Sequence, residues 1–376
     1  MNFVYLDNAA AMPADELALD DFRRFAMEFP GNQEAGHGAG YAVRKRLELA
    51  ERELAGALCP DSPGTAHVIW SHTGTDAIGG TIAAMNISGG NIVTSKLEHP
   101  AMLAALRRTK AEIRYVEITR DGQVNFDSLR KLVDAETGLV VLFHVQSETG
   151  AWHDLQALLE IRNIINAKAP KAEFMLDTIQ SAGKMPIPWQ AVKLDYIFVS
   201  GHKIGAPGGA AVITRSKAVK ENYTKLRHRD YLTGRVEPAT ILAMVEAVKR
   251  RHVNGYYYEH VEGLNRYLRE LLADMPGKVT PVMTAEPEKA SSYIVHCTLP
   301  GFQSAIIVRM LSEAGFIVAA GSACAAEAGG PSAALKAMGF SDNDAFSGLR
   351  ISFSEKNTRD ELATFVQVLQ KSLLDY

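Results

Sequence analysis

Between residues 66 and 214, short apolar runs rich in β-branched and aromatic residues alternate with longer amphipathic stretches, and no other feature constrains the fold so tightly. The runs are AHVIWS (66–71), GGNIVTS (89–95), EIRYVEI (112–118), GLVVLFHV (138–145), AEFMLD (172–177), DYIFVS (195–200) and GAAVIT (209–214). Each is too short for a core helix and reads as a strand. Helical patterns such as TDAIGGTIAAMN, HPAMLAALRRTKA and LQALLEIRNIINAKA lie between them. Strand–helix alternation of this kind predicts an α/β fold with a mainly parallel sheet flanked by helices.

The pattern changes after about residue 235. PATILAMVEAVKRRHVNGYYYEHVEGLNRYLRELLADM reads as one long helical stretch with few breaks. Beyond it, strand-like SSYIVHCTL and RISFS accompany helices at QSAIIVRMLSEAG and RDELATFVQVLQKSLL, the signature of a smaller α+β region. A chain of 376 residues holds two domains at about 150 residues each, and the boundary is expected near 240–260.

Composition excludes several classes of function. Lys and Arg number 40 against 43 Asp and Glu, a formal charge of −3, so non-specific nucleic-acid binding is not expected as the main job. The three cysteines, Cys59, Cys297 and Cys324, form neither a disulfide framework nor a CxxC zinc site, which fits a reducing compartment. The opening MNFVYLDNAAAMP lacks the basic start of a secretory signal, and no apolar run reaches membrane-spanning length; a cytoplasmic location without membrane contact is expected. The eleven histidines show no HExxH or His-x-His spacing, and no metal site is expected.

In an open parallel sheet, ligands bind beyond the carboxyl ends of the strands. Polar residues cluster there in this sequence. Ser71–Asp76 follows the first run and opens a helix; Glu98 and His99 follow the second; Asp177, Thr178 and Gln180 follow AEFML; Ser200, Gly201, His202 and Lys203 follow DYIFV. A lysine just past a strand end, in a glycine-rich loop, can form a Schiff base with a carbonyl. An acid about 25 residues earlier can hold a pyridinium nitrogen, and together the two meet the needs of pyridoxal phosphate (PLP). The Gly74–Thr75 turn offers backbone N–H groups and a hydroxyl to a phosphate. Taken singly, Lys203 is more simply a solvated lysine, Asp177 a helix cap and Gly74–Thr75 a tight turn; in order, at strand ends, the joint reading is the better one. Cys324 lies among small residues in AAGSACAAEAGG, where an exposed thiol can act as a nucleophile. Cys59 and Cys297 read as inert core cysteines. The planar fork of Arg350, in GLRISFS, suits a substrate carboxylate, although an ordinary ion pair is the default for one arginine.

Over nearly its whole length the chain resembles the cysteine desulfurases of the NifS/IscS type, within the class V aminotransferase group of fold-type I PLP enzymes. The resemblance rests on YLDNAA at 5–10, GN at 31–32 with His37 and Gly40, the Gly74–Thr75 turn, EHPAML at 98–103, SETG at 147–150, LDTIQSAGK at 176–184, SGHKIGAPGG at 200–209, GSAC at 321–324 and LRISFS at 349–354. It implies a large PLP-binding domain over 15–250, and a small domain from 1–14 with 251–376 carrying the cysteine loop and the carboxylate-binding arginine. Lys203 would carry PLP as an imine, Asp177 would keep the ring nitrogen protonated, Gln180 would contact the ring hydroxyl, and His99 would stack on the ring and assist proton transfer. Gly74, Thr75, Ser200 and His202 would hold the phosphate. Arg350 and Asn32 would bind substrate. L-cysteine would become L-alanine, with a persulfide on Cys324 passed to a sulfur-acceptor protein, a scaffold or a thiolation protein, as in iron–sulfur cluster assembly. The family's active sites lie at a homodimer interface.

The chain departs from the family's pattern in places. Ser147 stands where the family has an asparagine that touches ring and substrate, and Gly234–Arg235 stands where a Gly-Thr reaches the partner subunit's phosphate; an arginine there would bring more charge to the same phosphate. Two other readings stay open: another class V PLP enzyme (selenocysteine lyase, C–S lyase or aminotransferase), and a non-catalytic binding paralogue.

Overall fold

The computed structural model describes residues 3–229, 234–275, 279–282, 289–321 and 330–376. After a short first strand, β1 (Val4–Tyr5), the apolar runs form β2 (His67–Ser71), β3 (Asn91–Ser95), β4 (Glu112–Val116), β5 (Thr137–Phe143), β6 (Glu173–Asp177), β7 (Tyr196–Ser200) and β8 (Ala210–Thr214). Among the described residues these seven build one sheet in the order β2-β8-β7-β6-β5-β3-β4. Six strands run one way. The odd one is β8, antiparallel to both β7 and β2. Its direction follows from chain length: a parallel crossover needs a dozen or more residues, and Ser200 pairs directly with Ala210 in a hairpin.

Alternation along each strand sends side chains to opposite faces. Val140 and Leu142 of β5, Phe174 and Leu176 of β6, and Ile197 and Val199 of β7 join one buried cluster with the helices Gly38–Leu58, Leu155–Lys168 and Pro238–Val253. The intervening Leu139, Val141, Met175, Tyr196 and Phe198 join a second cluster with the helices Gly74–Met85 and Pro100–Leu106. A sheet buried on both faces reads as continuous apolar sequence, which is why these strands are plain in the sequence.

The α+β region folds around a separate core. It contains β9 (Thr280–Pro281), β10 (Ile294–Thr298), β11 (Phe316–Ile317) and β12 (Gly348–Ser352). β10 lies between β9 and β12, antiparallel to each, while β1 pairs in parallel with β11. Leu6 and Ala9 from the start of the chain join Val261, Leu268, Val295, Ile351 and Phe365 in this core.

One expectation fails. The long helical stretch is two helices, Pro238–Val253 and Tyr258–Ala273, separated by a turn at Gly255–Tyr257. Tyr256 and Tyr257 both adopt positive φ, 60° and 55°, which no helix tolerates. The Asn254-Gly255 pair starts the break, and apolar periodicity on either side conceals it.

In the hairpin between β7 and β8, Gly201 sits where a side chain has no room. Gly201 donates its N–H to the Gly209 carbonyl at 2.8 Å, and a Cβ at position 201 would lie 1.9 Å from the Gly208 carbonyl oxygen. The collision is with backbone, so no rotamer relieves it. Gly201→Ala is expected to cost about 2–4 kcal/mol of stability, read as a lowered denaturant midpoint at unchanged m-value; an unchanged midpoint would show that the hairpin relaxes freely.

Candidate active site

The parallel strands end together at Ser71, Ser95, Phe143, Asp177 and Ser200, and the chain that leaves each of them turns over the same edge. A cavity of about 460 Å3 lies there. It gathers Gly74, Thr75, His99, Ser147, Asp177, Gln180, Ser200, His202, Lys203 and Arg350, ten of the residues singled out from sequence. Three others are elsewhere. Asn32 is exposed and turns its Oδ1 back to accept from the Glu34 N–H at 3.0 Å. Arg235 is exposed and does not line the cavity. Cys324 lies outside the described residues.

Lys203 ends a single 3-10 turn, Gly201–Lys203, directly after β7. Its Nζ donates to the main-chain carbonyls of Ala9 at 2.9 Å and Ala10 at 2.5 Å. These carbonyls were not legible as site groups, because they carry no side-chain signal. Gln180 fixes the same segment, its Nε2 donating to Ala9 O at 2.9 Å.

Asp177 closes β6, and its Oδ1 accepts from the Ile179 N–H at 3.0 Å. No helix starts there, so the contact closes a turn and does not cap a helix, and the carboxylate also faces the cavity. Burial pushes its proton affinity up; the Ile179 N–H, His99 and Lys203 pull the other way. His99 caps the helix Pro100–Leu106: its Nδ1 accepts from the Ala101 N–H at 3.1 Å, which leaves Nε2 to carry the proton of the neutral ring. Burial lowers its proton affinity, so the neutral ring is favoured, against the pull of Asp177 and with the push of Lys203. Glu98, one residue earlier, is buried; it accepts from Ser95 Oγ at 2.7 Å and from the Phe143 N–H at 3.2 Å. Burial first, and nearby Asp177, push its proton affinity well up, while the Ser95 hydroxyl and the Phe143 N–H pull the other way.

The helix Gly74–Met85 points its N-terminus into the cavity, and Thr73 caps it by accepting from the Asp76 N–H at 3.1 Å. A Cβ on Gly74 would meet Ile179 Cδ1 at 2.8 Å, so this approach is open only to glycine unless Ile179 moves. Free N–H groups at a helix start suit a phosphate. Opposite, Arg350 of β12 is 2% exposed; its Nη2 donates to Asp7 Oδ1 at 2.7 Å and its Nη1 to the Ser147 carbonyl at 2.9 Å. Its Nε has no hydrogen-bond partner among the described residues. Asp7 was missed as a functional partner, because a sequence does not state which carboxylate meets which arginine.

An amine, a buried carboxylate, a ring held neutral and a helix N-terminus around one cavity fit an aldehyde cofactor with a basic ring nitrogen and a phosphate. Among the described residues no group of three His, Cys, Asp or Glu could hold a metal, and no helix is long and apolar enough to cross a membrane. Cys59 and Cys297 are buried, and burial pushes each thiol up to about 12, so neither is a nucleophile.

A profile of the aminotransferase class-V family matches residues 4–365. A Bacillus subtilis protein named putative cysteine desulfurase IscS 1 is 28% identical over 377 residues, covering 97% of each chain. A Halalkalibacterium halodurans protein named putative cysteine desulfurase NifS is 25% identical over 379 residues, covering 98% of this chain and 97% of its own. Among solved structures, the NifS-like protein from Rickettsia africae superimposes over the whole of both chains with a TM-score of 0.84 at 22% identity, and it shares the α/β fold of this chain.

Three buried histidines underlie the site. His144 Nδ1 meets Ser181 Oγ at 2.8 Å, His153 Nδ1 meets the Phe143 carbonyl at 2.9 Å, and His296 lies 3.8 Å from Glu148. Burial lowers them to about 3, about 4 and about 3. Groups depressed below their unfolded value of about 6.5 bind fewer protons in the folded state. Their contribution is thus whole above that pH and is lost as pH falls toward 4. The denaturant midpoint is expected to drop between pH 6.5 and 4, with a shallower drop in His153→Gln; a variant slope equal to the parent's would exclude His153 as a contributor.

Proposed function

The chain belongs to the aminotransferase class-V family, and from that premise we propose that it is a PLP-dependent cysteine desulfurase. The observation that carries the reading is the convergence of Lys203, Asp177, His99 and the Gly74–Thr75 helix start on one cavity closed by Arg350. The names of the B. subtilis and H. halodurans relatives, each matched over nearly its whole length, point the same way.

PLP, when bound, supplies an aldehyde that takes an amine and a ring that stores the electron pair released at the substrate Cα. Lys203 would be the amine that holds it, and its free Nζ would move the substrate Cα proton. Asp177 would hold the ring nitrogen; a cation there would favour its ionised form against the effect of burial. His99, neutral with its Nδ1 occupied, offers Nε2 for proton transfer. Gln180 would contact the ring hydroxyl, and Ser147 would take the place of the family's asparagine with a shorter reach. Gly74, Thr75, Ser200 and His202 hold the phosphate. Arg350 takes the carboxylate of L-cysteine. The thiolate of Cys324 bonds to the substrate sulfur as the carbon–sulfur bond breaks, and the electron pair goes to carbon. Protonation there gives L-alanine, and the persulfide on Cys324 passes to a sulfur-acceptor protein of the kind that serves iron–sulfur cluster assembly or thiolation.

In this reading residues 15–250 bind PLP, and residues 1–14 with 251–376 carry Arg350 and Cys324. The separate apolar cores support that division. The working unit is a cytoplasmic homodimer in which Arg235, exposed on its own chain, reaches the phosphate held by the partner subunit.

Two variants test the reading. Lys203→Ala is expected to abolish the borohydride-fixed PLP mass shift on the peptide spanning residue 203, and to lower sulfide release from L-cysteine by about 10³-fold or more. Cys324→Ala is expected to keep bound PLP and lose sulfide release. Undiminished turnover of L-cysteine in Cys324→Ala would favour a lyase or an aminotransferase instead.

A further inference from the structure

Residues 96–99 join β3 to the helix Pro100–Leu106, and His99 is the last of them. The residue before it, Glu98, is buried at 4% exposure, and the proposed chemistry leaves it unused. Burying a carboxyl is costly unless hydrogen bonds compensate it, so the bonds it makes show what it is there to hold. Its Oε1 accepts from Ser95 Oγ at 2.7 Å and from the Phe143 N–H at 3.2 Å. Its Oε2 has no hydrogen-bond partner among the described residues. One oxygen therefore carries the whole attachment.

Both donors sit at strand ends. Ser95 closes β3, and its Oγ also accepts from the Leu97 N–H at 3.1 Å, so the link is wound around one hydroxyl. Phe143 closes β5. The pairing of β3 with β5 ends where Thr94 lies opposite Val141. Phe143 comes two residues later, after β3 has left the sheet. Glu98 supplies its N–H with an acceptor there, and without one a buried donor goes unsatisfied. A second, longer bond fastens the same link to the same chain: Gln146 Nε2 donates to the Leu97 carbonyl at 3.4 Å. Leu97, His99, Phe143 and Gln146 all line the cavity.

The hydrogen bond of the His99 ring points the other way along the chain. Its Nδ1 accepts from the Ala101 N–H, inside the helix that His99 caps. That bond fixes the ring against its helix and not against the strand ends. Met102 and Leu106 pack the helix on the sheet through apolar contacts, which tolerate sliding better than a directed bond does. Glu98 is the directed tie between the start of the helix and the ends of β3 and β5. A residue one peptide away from it has little freedom left, and a misplacement of about 1 Å at a reacting group costs roughly 10²-fold in rate.

We propose that Glu98 is a positioning residue: its Oε1, held between the Ser95 hydroxyl and the Phe143 N–H, sets where His99 stands over the cavity. The inference deepens the role given to His99 and rests on it, and the test separates the two. In the full-length, PLP-loaded chain, Glu98→Leu removes the acceptor. It is expected to lower turnover of L-cysteine by about 10–100-fold and to weaken the visible circular dichroism of bound PLP, which reports the surroundings of the ring and not turnover. Glu98→Gln keeps an oxygen for both donors, with its Nε2 in place of an oxygen that bonds to nothing, and is expected to recover most of both signals. An equal loss in the two variants would overturn the proposal. A double-mutant cycle separates positioning from mere stability. In a His99→Gln background, Glu98→Leu is expected to change turnover and dichroism by less than about threefold, because the residue it acts through is gone. A merely structural glutamate would cost the same factor with or without His99, and that additive result would overturn the proposal. Ser95→Ala, which deletes the shorter bond, is carried through the same cycle, with the same two outcomes, and decides between them if Glu98→Leu does not fold. His99→Gln alone reports on the reading beneath: turnover and dichroism equal to the parent's would withdraw the role of His99 whatever Glu98 does.

Discussion

The site depends on a strap. Residues 4–15 run across both halves of the molecule and are held at each. Val4 and Leu6 bond to the main chain beside β11, and Ala9 donates its N–H to Ser352 Oγ of β12 at 2.9 Å. Met12 donates to the His202 carbonyl and Asp15 to the Gly205 carbonyl, both at 2.8 Å, on the hairpin loop after β7. Between these anchors the carbonyls of Ala9 and Ala10 face Lys203. A half-buried lysine amine near a strand end needs acceptors, and the main chain supplies them without adding a charge. The reactive end of the large sheet is therefore finished by chain that belongs to the other core.

The same logic repeats at the residue after Lys203. Arg251, 3% exposed, donates its Nε to the Ile204 carbonyl at 3.2 Å and its Nη2 to both oxygens of Glu355 at 2.6 and 2.7 Å. One guanidinium thus ties the residue after Lys203 to the chain leaving β12. A fork of this kind sets orientation as well as distance.

Much of this was legible in the sequence, for stated physical reasons. Strands buried on both faces write themselves as apolar runs, and ligand groups at their carboxyl ends fall at fixed places after each run. Asp177, His99 and Lys203 could be named on that ground. The reversal of β8 was equally present in the short spacing from Ser200 to Ala210, but strand pattern alone carries no direction. The turn at Tyr256 and Tyr257 was hidden, because apolar residues keep a helical period across it. Glu98 could be placed beside His99, but its bonds to Ser95 and Phe143 are a property of the packed chain. Asp7 and the Ala9 and Ala10 carbonyls acquire meaning from partners hundreds of residues away or from atoms every residue has.

Arg350 carries a consequence for what the cavity can accept. Its guanidinium already gives Nη2 to a carboxylate and Nη1 to a carbonyl, so its positive charge is largely matched before any guest arrives. A visiting carboxylate must either share the fork with Asp7 or settle for the remaining N–H groups. An anion with no positive charge of its own brings surplus negative potential beside Asp7 and Asp177. A zwitterion brings its own counter-charge, and so molecules that carry an ammonium next to their acid group have the electrostatic advantage over simple organic acids.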